Sequence, residues 1–149
     1  MSAHLLDVNM LIALAWPSHV HHAAAHRWFA RHAAAGWATC PMTQCGFVRV
    51  SSNANVITGA VSPQEALKLM REMARHRHHA FWHDDVAMYD ARYVPEPLIM
   101  GHRQVTDAYL LALAAQHGSK VATLDRGMRA LAPPGTALHD TLVIVPPVE

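Results

Sequence analysis

A chain of 149 residues, 52% hydrophobic and 15% charged, is long enough to bury a core of its own and too apolar to be disordered. Its formal net charge of +1 does not mark it as a polyanion binder, although it excludes no partner class. No apolar run approaches the roughly 20 residues of a membrane helix, and no basic region followed by a long apolar core opens the chain, so a cytoplasmic protein is expected.

The chain opens on a short apolar run, Ala3 to Leu6, that stops at Asp7 and reads as a buried strand. Asn9 is placed to cap a short helix from Met10 to Ala15, broken by Pro17 and Ser18. A longer helix is expected from His19 to Ala35, ended by Gly36. Trp37 to Cys40 reads as a second strand stopped by Pro41, with Thr43 as the cap of the helix that carries Phe47, Val48 and Val50. Ser62-Pro63-Gln64-Glu65 is a helix start with cap, first-turn proline and capping-box acid, and its helix runs to about Arg75. Ala80 to His83 is a weak third strand, followed by a helix from Asp84 or Asp85 that ends before Pro95. Tyr93 to Gly101 carries two prolines and is a loop. Thr106 and Asp107 lie near the start of a helix that runs to His117 and stops at Gly118. Lys120 to Leu124 is a fourth strand ending at Asp125, a short helix follows near Met128, and Thr141 to Val145 is the last strand.

Strands alternating with helices predict parallel pairing, and strands apolar throughout predict helices on both faces. The fold expected is α/β: a three-layer α/β/α sandwich on a sheet of four or five mostly parallel strands, in one domain spanning 1–149.

Two aspartates stand directly after apolar strands, in Leu5-Leu6-Asp7 and Ala122-Thr123-Leu124-Asp125. An open parallel sheet binds ligands beyond the carboxyl ends of its strands, so both acids reach one edge. Asp107 would join them from a helix N-terminus, where the backbone favours negative charge. Gathered carboxylates repel one another and resist leaving water. A hard divalent cation, Mg²⁺ or Mn²⁺, relieves that conflict, and the chemistry that follows is phosphodiester hydrolysis.

The remaining oddities carry less. Cys40 and Cys45 match no zinc or redox spacing and read as reduced, partly buried thiols. The thirteen histidines fall largely into two clusters, His19, His21, His22, His26 and His76, His78, His79, His83, which read as solvated helix ends; no acid or cysteine completes a metal site within either. Ten of the twelve Lys and Arg residues are arginine, the side chain suited to bidentate phosphate contacts.

At the acidic motifs the sequence resembles the PIN-domain ribonucleases, and in particular the VapC toxins of bacterial toxin–antitoxin pairs. Leu5 to Ala13 resembles the opening strand and first acid of that family, Thr43 to Val50 its second motif, Val105 to Leu110 its third and Ala122 to Gly127 its fourth. The resemblance covers almost the whole chain. It implies an endoribonuclease, the toxin of a type II pair, that uses Mg²⁺ or Mn²⁺ held by Asp7, Asp107 and Asp125. It also implies a homodimer and inhibition by a cognate VapB-like antitoxin. The second motif usually carries a glutamate, and here Gln44 stands in its place; an amide oxygen still accepts bonds but supplies neither charge nor a proton acceptor at neutral pH. Asn9 and Thr106 are candidates to orient carboxylates or water, with Thr123 a weaker one, and Arg49, Arg103 and Arg126 are candidates to meet RNA phosphate.

Gln44 keeps a second class open, a PIN-like module that binds RNA or antitoxin without cutting. An aspartate phosphotransferase would want an acid where Asn9 stands. A histidine metal buffer would bind zinc without Asp7 or Asp107.

Overall fold

The computed structural model describes residues 3–148. Five strands, β1 (His4–Leu6), β2 (Trp37–Thr39), β3 (His79–Phe81), β4 (Lys120–Thr123) and β5 (Leu142–Ile144), form one sheet in the spatial order β3-β2-β1-β4-β5. All neighbouring pairs are parallel, with Leu5 opposite Ala38 on one side and Val121 on the other. The chain therefore builds outward from β1 through β2 to β3, then returns to lay β4 on the other side of β1.

Alternation along each strand divides the core. Leu5, Ala38 and Val121 face one layer with the apolar residues of α5 (Val105–Gln116). Leu6, Trp37 and Ala122 face the opposite layer with Met10 and Leu11 of α1 (Val8–Ala15), Trp28 of α2 (His22–His32), Phe47 of α3 (Pro41–Ser51) and Met70 of α4 (Pro63–Ala74). Helices cover both faces, which is why the strands carry no polar alternation. Every residue of α5 from Ala108 to Ala114 is buried. That helix is enclosed on its outer side by Trp82, Val86 and Val94 of the segment after β3.

The helix expected from Asp84 or Asp85 to Pro95 does not form; the segment is a series of turns. Two polar ties account for this. Asp90 Oδ1 accepts from the backbone N–H of Arg92, the local bond by which aspartate competes with helix. Asp84 accepts from the Tyr109 hydroxyl at 3.0 Å, which pins the start of the segment to α5. Trp82 then lies flat against His117, ring centres 3.9 Å apart.

Three caps differ from expectation by a few residues. Asp7, not Asn9, caps α1, its Oδ1 accepting from Met10 N at 2.9 Å. Cys40, not Thr43, precedes α3; Thr43 reaches back from the third helical position to accept from Cys40 N at 3.0 Å. The long helix begins at His22 rather than His19, and its last turn, Ala33–Ala35, tightens to 3₁₀ before Gly36 turns the chain at φ +103°. His26 is exposed, as expected, and His22 half-buried; both also bond the Ala13 and Leu14 carbonyls, His22 at 2.7 Å and His26 at 2.8 Å, serving the open C-terminal end of α1. Cys40 is buried and Cys45 exposed, and both are free thiols. Gly46 sets the contact between α3 and α1: a Cβ there would stand 2.4 Å from Val8 Cγ2.

Candidate active site

The point at which strand order reverses lies between β1 and β4. Ligand clefts of open parallel sheets form at such a point, beyond the strand ends, because the connecting chains diverge there. Asp7 directly follows β1, and Asp125 stands two residues beyond the end of β4. Asp107 lies in the first turn of α5, the helix packed over these strands.

Asp7 is the buried member, 5% exposed. Its Oδ1 accepts from Met10 N and its Oδ2 from the Thr123 hydroxyl, so each oxygen keeps one lone pair for another partner. Burial pushes its pKa up from 3.8 to about 6; the two hydrogen bonds oppose this, and the charges of Asp107 and Asp125 add to it. Half-buried Asp107 is likewise raised to about 6, by burial first and then by Asp125. The charges of Asp107 and Asp125 reach Asp7, and that of Asp125 reaches Asp107, so the three share one electrostatic neighbourhood.

Thr123 joins two of the acids. It is wholly buried, donates to Asp7, and accepts from Asp125 N at 3.0 Å. Asp125 is exposed, and its Oδ1 accepts from Gly127 N at 2.8 Å, capping the 3₁₀ turn Arg126–Leu131. This aspartate can serve as cap and as site residue at once, since one cap bond leaves Oδ2 free of it. The hydroxyl two residues before Asp125, at the end of a buried strand, was the sequence signal for Thr123. It outweighs the other polar candidates: Asn9 is exposed on the second residue of α1 and Thr106 is exposed on α5.

Gln44 is held differently from the three acids. Its Nε2 donates to Thr39 Oγ1 at 3.0 Å, and Thr39 is 2.8 Å from His79 Nε2. Thr39 shares the strand face of Trp37, the α1–α4 side of the sheet. Gln44 also lines a groove between α3 and α4 with Cys45, Val48, Arg49 and Leu67. Arg49 therefore opens on that groove. Arg103 is exposed in the 3₁₀ turn His102–Gln104 ahead of α5. Arg126, beside Asp125, lines a cleft with His21, Leu124, Val145 and Pro147. Among the described residues, no three His, Cys, Asp or Glu side chains are drawn together tightly enough to hold a metal ion as they stand.

A parallel sheet in this order, with aspartates at its switch point and a third on the covering helix, fits a PIN domain. The family model described as PIN domain matches residues 4–133, and the chain belongs to that family. Within it the chain stands among the VapC proteins. It is 48% identical over 128 residues to Ribonuclease VapC38 of Mycobacterium tuberculosis (strain ATCC 25618 / H37Rv), covering 86% of this chain and 89% of that one. Ribonuclease VapC39 of the same strain is 45% identical over 124 residues, 83% of this chain and 89% of its own. Ribonuclease VapC44 is 39% identical over 131 residues, 88% and 92% of the two chains.

Proposed function

We propose that this chain is an endoribonuclease, the toxin of a type II toxin–antitoxin pair, and that it hydrolyses RNA phosphodiester bonds with a divalent cation. The observation that carries the reading is the coupling of Asp7, Asp107 and Asp125 at the β1–β4 switch point, two of them pushed up to about 6. An all-oxygen anionic donor set suits Mg²⁺ or Mn²⁺ and not a soft metal. When bound, the cation supplies positive charge and Lewis acidity to water and phosphate at neutral pH.

The chain's own residues do the rest. Met10 N and Thr123 fix the orientation of the Asp7 carboxylate, leaving one lone pair on each oxygen as a ligand. Asp107 brings a second carboxylate from the start of α5, where the N-terminal helix dipole favours its ionised form. Asp125 is the most exposed of the three, the one best placed to meet an incoming strand. Ligation by all three requires side-chain adjustment, because they are coupled but not closed into a cage.

The same family membership supports an RNA substrate, inhibition by a VapB-like antitoxin, a homodimer, a single nuclease domain over 1–149 and action in the cytoplasm. Among the described residues no helix is long and apolar enough to cross a membrane. A second reading, a PIN module that binds RNA or antitoxin without cutting, is favoured by one observation: the residue at the family's glutamate position is an amide tied to Thr39.

The test is cleavage of total cellular RNA by the purified, antitoxin-free protein in Mg²⁺, Mn²⁺ or EDTA, beside an Asp7→Asn variant. Discrete fragments that need both metal and Asp7 are expected. Intact RNA in both metals, with RNA still bound, would establish the non-catalytic reading instead.

A further inference from the structure

The acidic site uses none of the thirteen histidines, and several of their rings lie close to one another. His22 and His26 have ring centres 4.3 Å apart, His76 and His78 5.7 Å, and His19–His21 and His4–His32 5.8 Å each. One cation joins two rings only where each keeps a bare nitrogen and no like charge stands by. Three of these pairs fail that condition. His76 Nδ1 already accepts from Trp37 Nε1 and His78 N, and His19 Nδ1 accepts from His21 N. His4 is half-buried, and burial first, then the charges of His32 and Lys120, holds its pKa below the ordinary value, so its surroundings disfavour a cation.

His22 and His26 meet it. They are four residues apart on α2, so their side chains rise from one face. His22 Nδ1 lies 2.7 Å from the Ala13 carbonyl oxygen and His26 Nε2 2.8 Å from that of Leu14. A carbonyl only accepts, so each of these ring nitrogens carries the hydrogen, and in the neutral rings His22 Nε2 and His26 Nδ1 are bare. Metal-binding histidines are held in this way, one nitrogen on a backbone carbonyl and the other on the ion. An ion about 2.0–2.1 Å from a nitrogen of each ring lies roughly 3 Å from each ring centre, so rings that share it stand within about 6 Å. At 4.3 Å this pair is the closest of the four. His26 also lines an open cleft of about 400 Å³ with Leu14, Ala15 and Glu72, which gives an ion entry and water. The last carbonyls of α1 favour a cation here and the first turn of α2 opposes it, so ligation and not the helix field must hold the ion.

We propose that His22 Nε2 and His26 Nδ1 form a binding site for a borderline divalent cation, Zn²⁺, with water in its remaining positions. Imidazole suits zinc, whereas Mg²⁺ belongs with carboxylate oxygens, so the two ions sort between this pair and the aspartates. Two protein ligands make an exchangeable site and not a closed structural one. Through the two ring N–H groups the ion ties α2 to the end of α1, the helix that Asp7 caps. The site takes no ligand from Asp7, Asp107 or Asp125 and stands independently of the ribonuclease reading.

The probe is Zn²⁺ alone, titrated by calorimetry into the untagged full chain with Mg²⁺ in large excess to occupy the carboxylates. His22→Ala, His26→Ala and His83→Ala are titrated beside the wild type, the last as an exposed histidine outside the pair. Losing a partner that merely supports a metal ligand costs about 10–100-fold in affinity, so losing one of two ligands should cost at least about tenfold. His83→Ala should match the wild type. A second measurement needs no folded variant: ¹⁵N NMR of the histidine rings in the wild-type chain. Zinc should move the bare nitrogens, His22 Nε2 and His26 Nδ1, while His22 Nδ1 and His26 Nε2 keep their hydrogens. Zinc uptake that is unaltered in both alanine variants places the ion elsewhere, on Cys45 or another histidine, and overturns the site. Ring nitrogens that zinc leaves unmoved, or a wild-type chain that takes up no zinc, overturn it as well.

Discussion

Asp7→Asn should stabilise the fold while ending cleavage. In the folded chain the Asp7 pKa stands at about 6 against 3.8 for a free side chain, a difference of about 3 kcal/mol against the folded state once the group is ionised. The sign follows from proton binding. The native chain holds this proton more tightly than the unfolded one, so the wild type gains stability as pH falls from about 6 toward 3.8 and is least stable above 6. Asparagine does not titrate, and its side-chain oxygen can still cap Met10 N. Its amide would face the Thr123 hydroxyl, whose proton must then find another acceptor, at about 1 kcal/mol. The net expected at pH 8 is about 2 kcal/mol in favour of the variant, a rise of roughly 4–8 °C in Tm for a chain of this size. The assay is thermal and urea unfolding at pH 8 and pH 4 in EDTA, and again with Mg²⁺. The advantage should fade at pH 4, and saturating Mg²⁺ should stabilise the wild type and not the variant. A variant that melts at or below the wild type at pH 8 would refute the view that Asp7 is a charge held against its own folding energy.

Thr123→Val removes the donor to Asp7 and the acceptor for Asp125 N; cleavage should fall about 10–100-fold, and the acid limb of the pH–rate profile should move to higher pH as Asp7 loses its stabilising bond. Gly46→Ala should destabilise by about 1–3 kcal/mol in urea unfolding despite alanine's better helix propensity, because its Cβ meets Val8, and Val8→Ala in the same chain should restore much of the loss. Gln44→Glu should raise the His79 pKa, read by NMR titration of the ring, and should strengthen metal binding if the carboxylate turns toward the acids; an unmoved His79 would show that the Gln44–Thr39–His79 chain does not operate.

The sheet was legible because its strands are apolar on both faces and end in turn residues or acids. Asp7 and Asp125 could be placed at one edge from that pattern alone. The helix boundaries blurred where a side chain does two jobs. Asp7 is both strand end and helix cap, so the pattern puts the cap at Asn9, two residues late. The segment after β3 has acids and apolar residues in a helical proportion, but its fate is decided by partners far along the chain. Asp84 binds Tyr109 and Trp82 stacks on His117, and neither pairing has a local signature. The histidines misled for the same reason: composition shows their number, and only the packing of α2 on α1 and of β3 on β2 shows that several are bonded within the fold.

Gln44 fits its surroundings as an amide. The His79 ring bonds the Ala74 carbonyl, which only accepts, so the ring nitrogen there carries a hydrogen. Burial, which outweighs the opposing Ala74 bond and is helped least by the charge of His76, leaves the ring below its ordinary pKa, so at neutral pH His79 Nε2 is bare and accepts the Thr39 hydroxyl proton. Thr39 oxygen then has only lone pairs to offer, and the group that meets it must donate. Gln44 does so through its amide N–H; a glutamate carboxylate could not without reversing the chain and protonating His79. The amide at position 44 is therefore matched by its neighbours on β2 and β3.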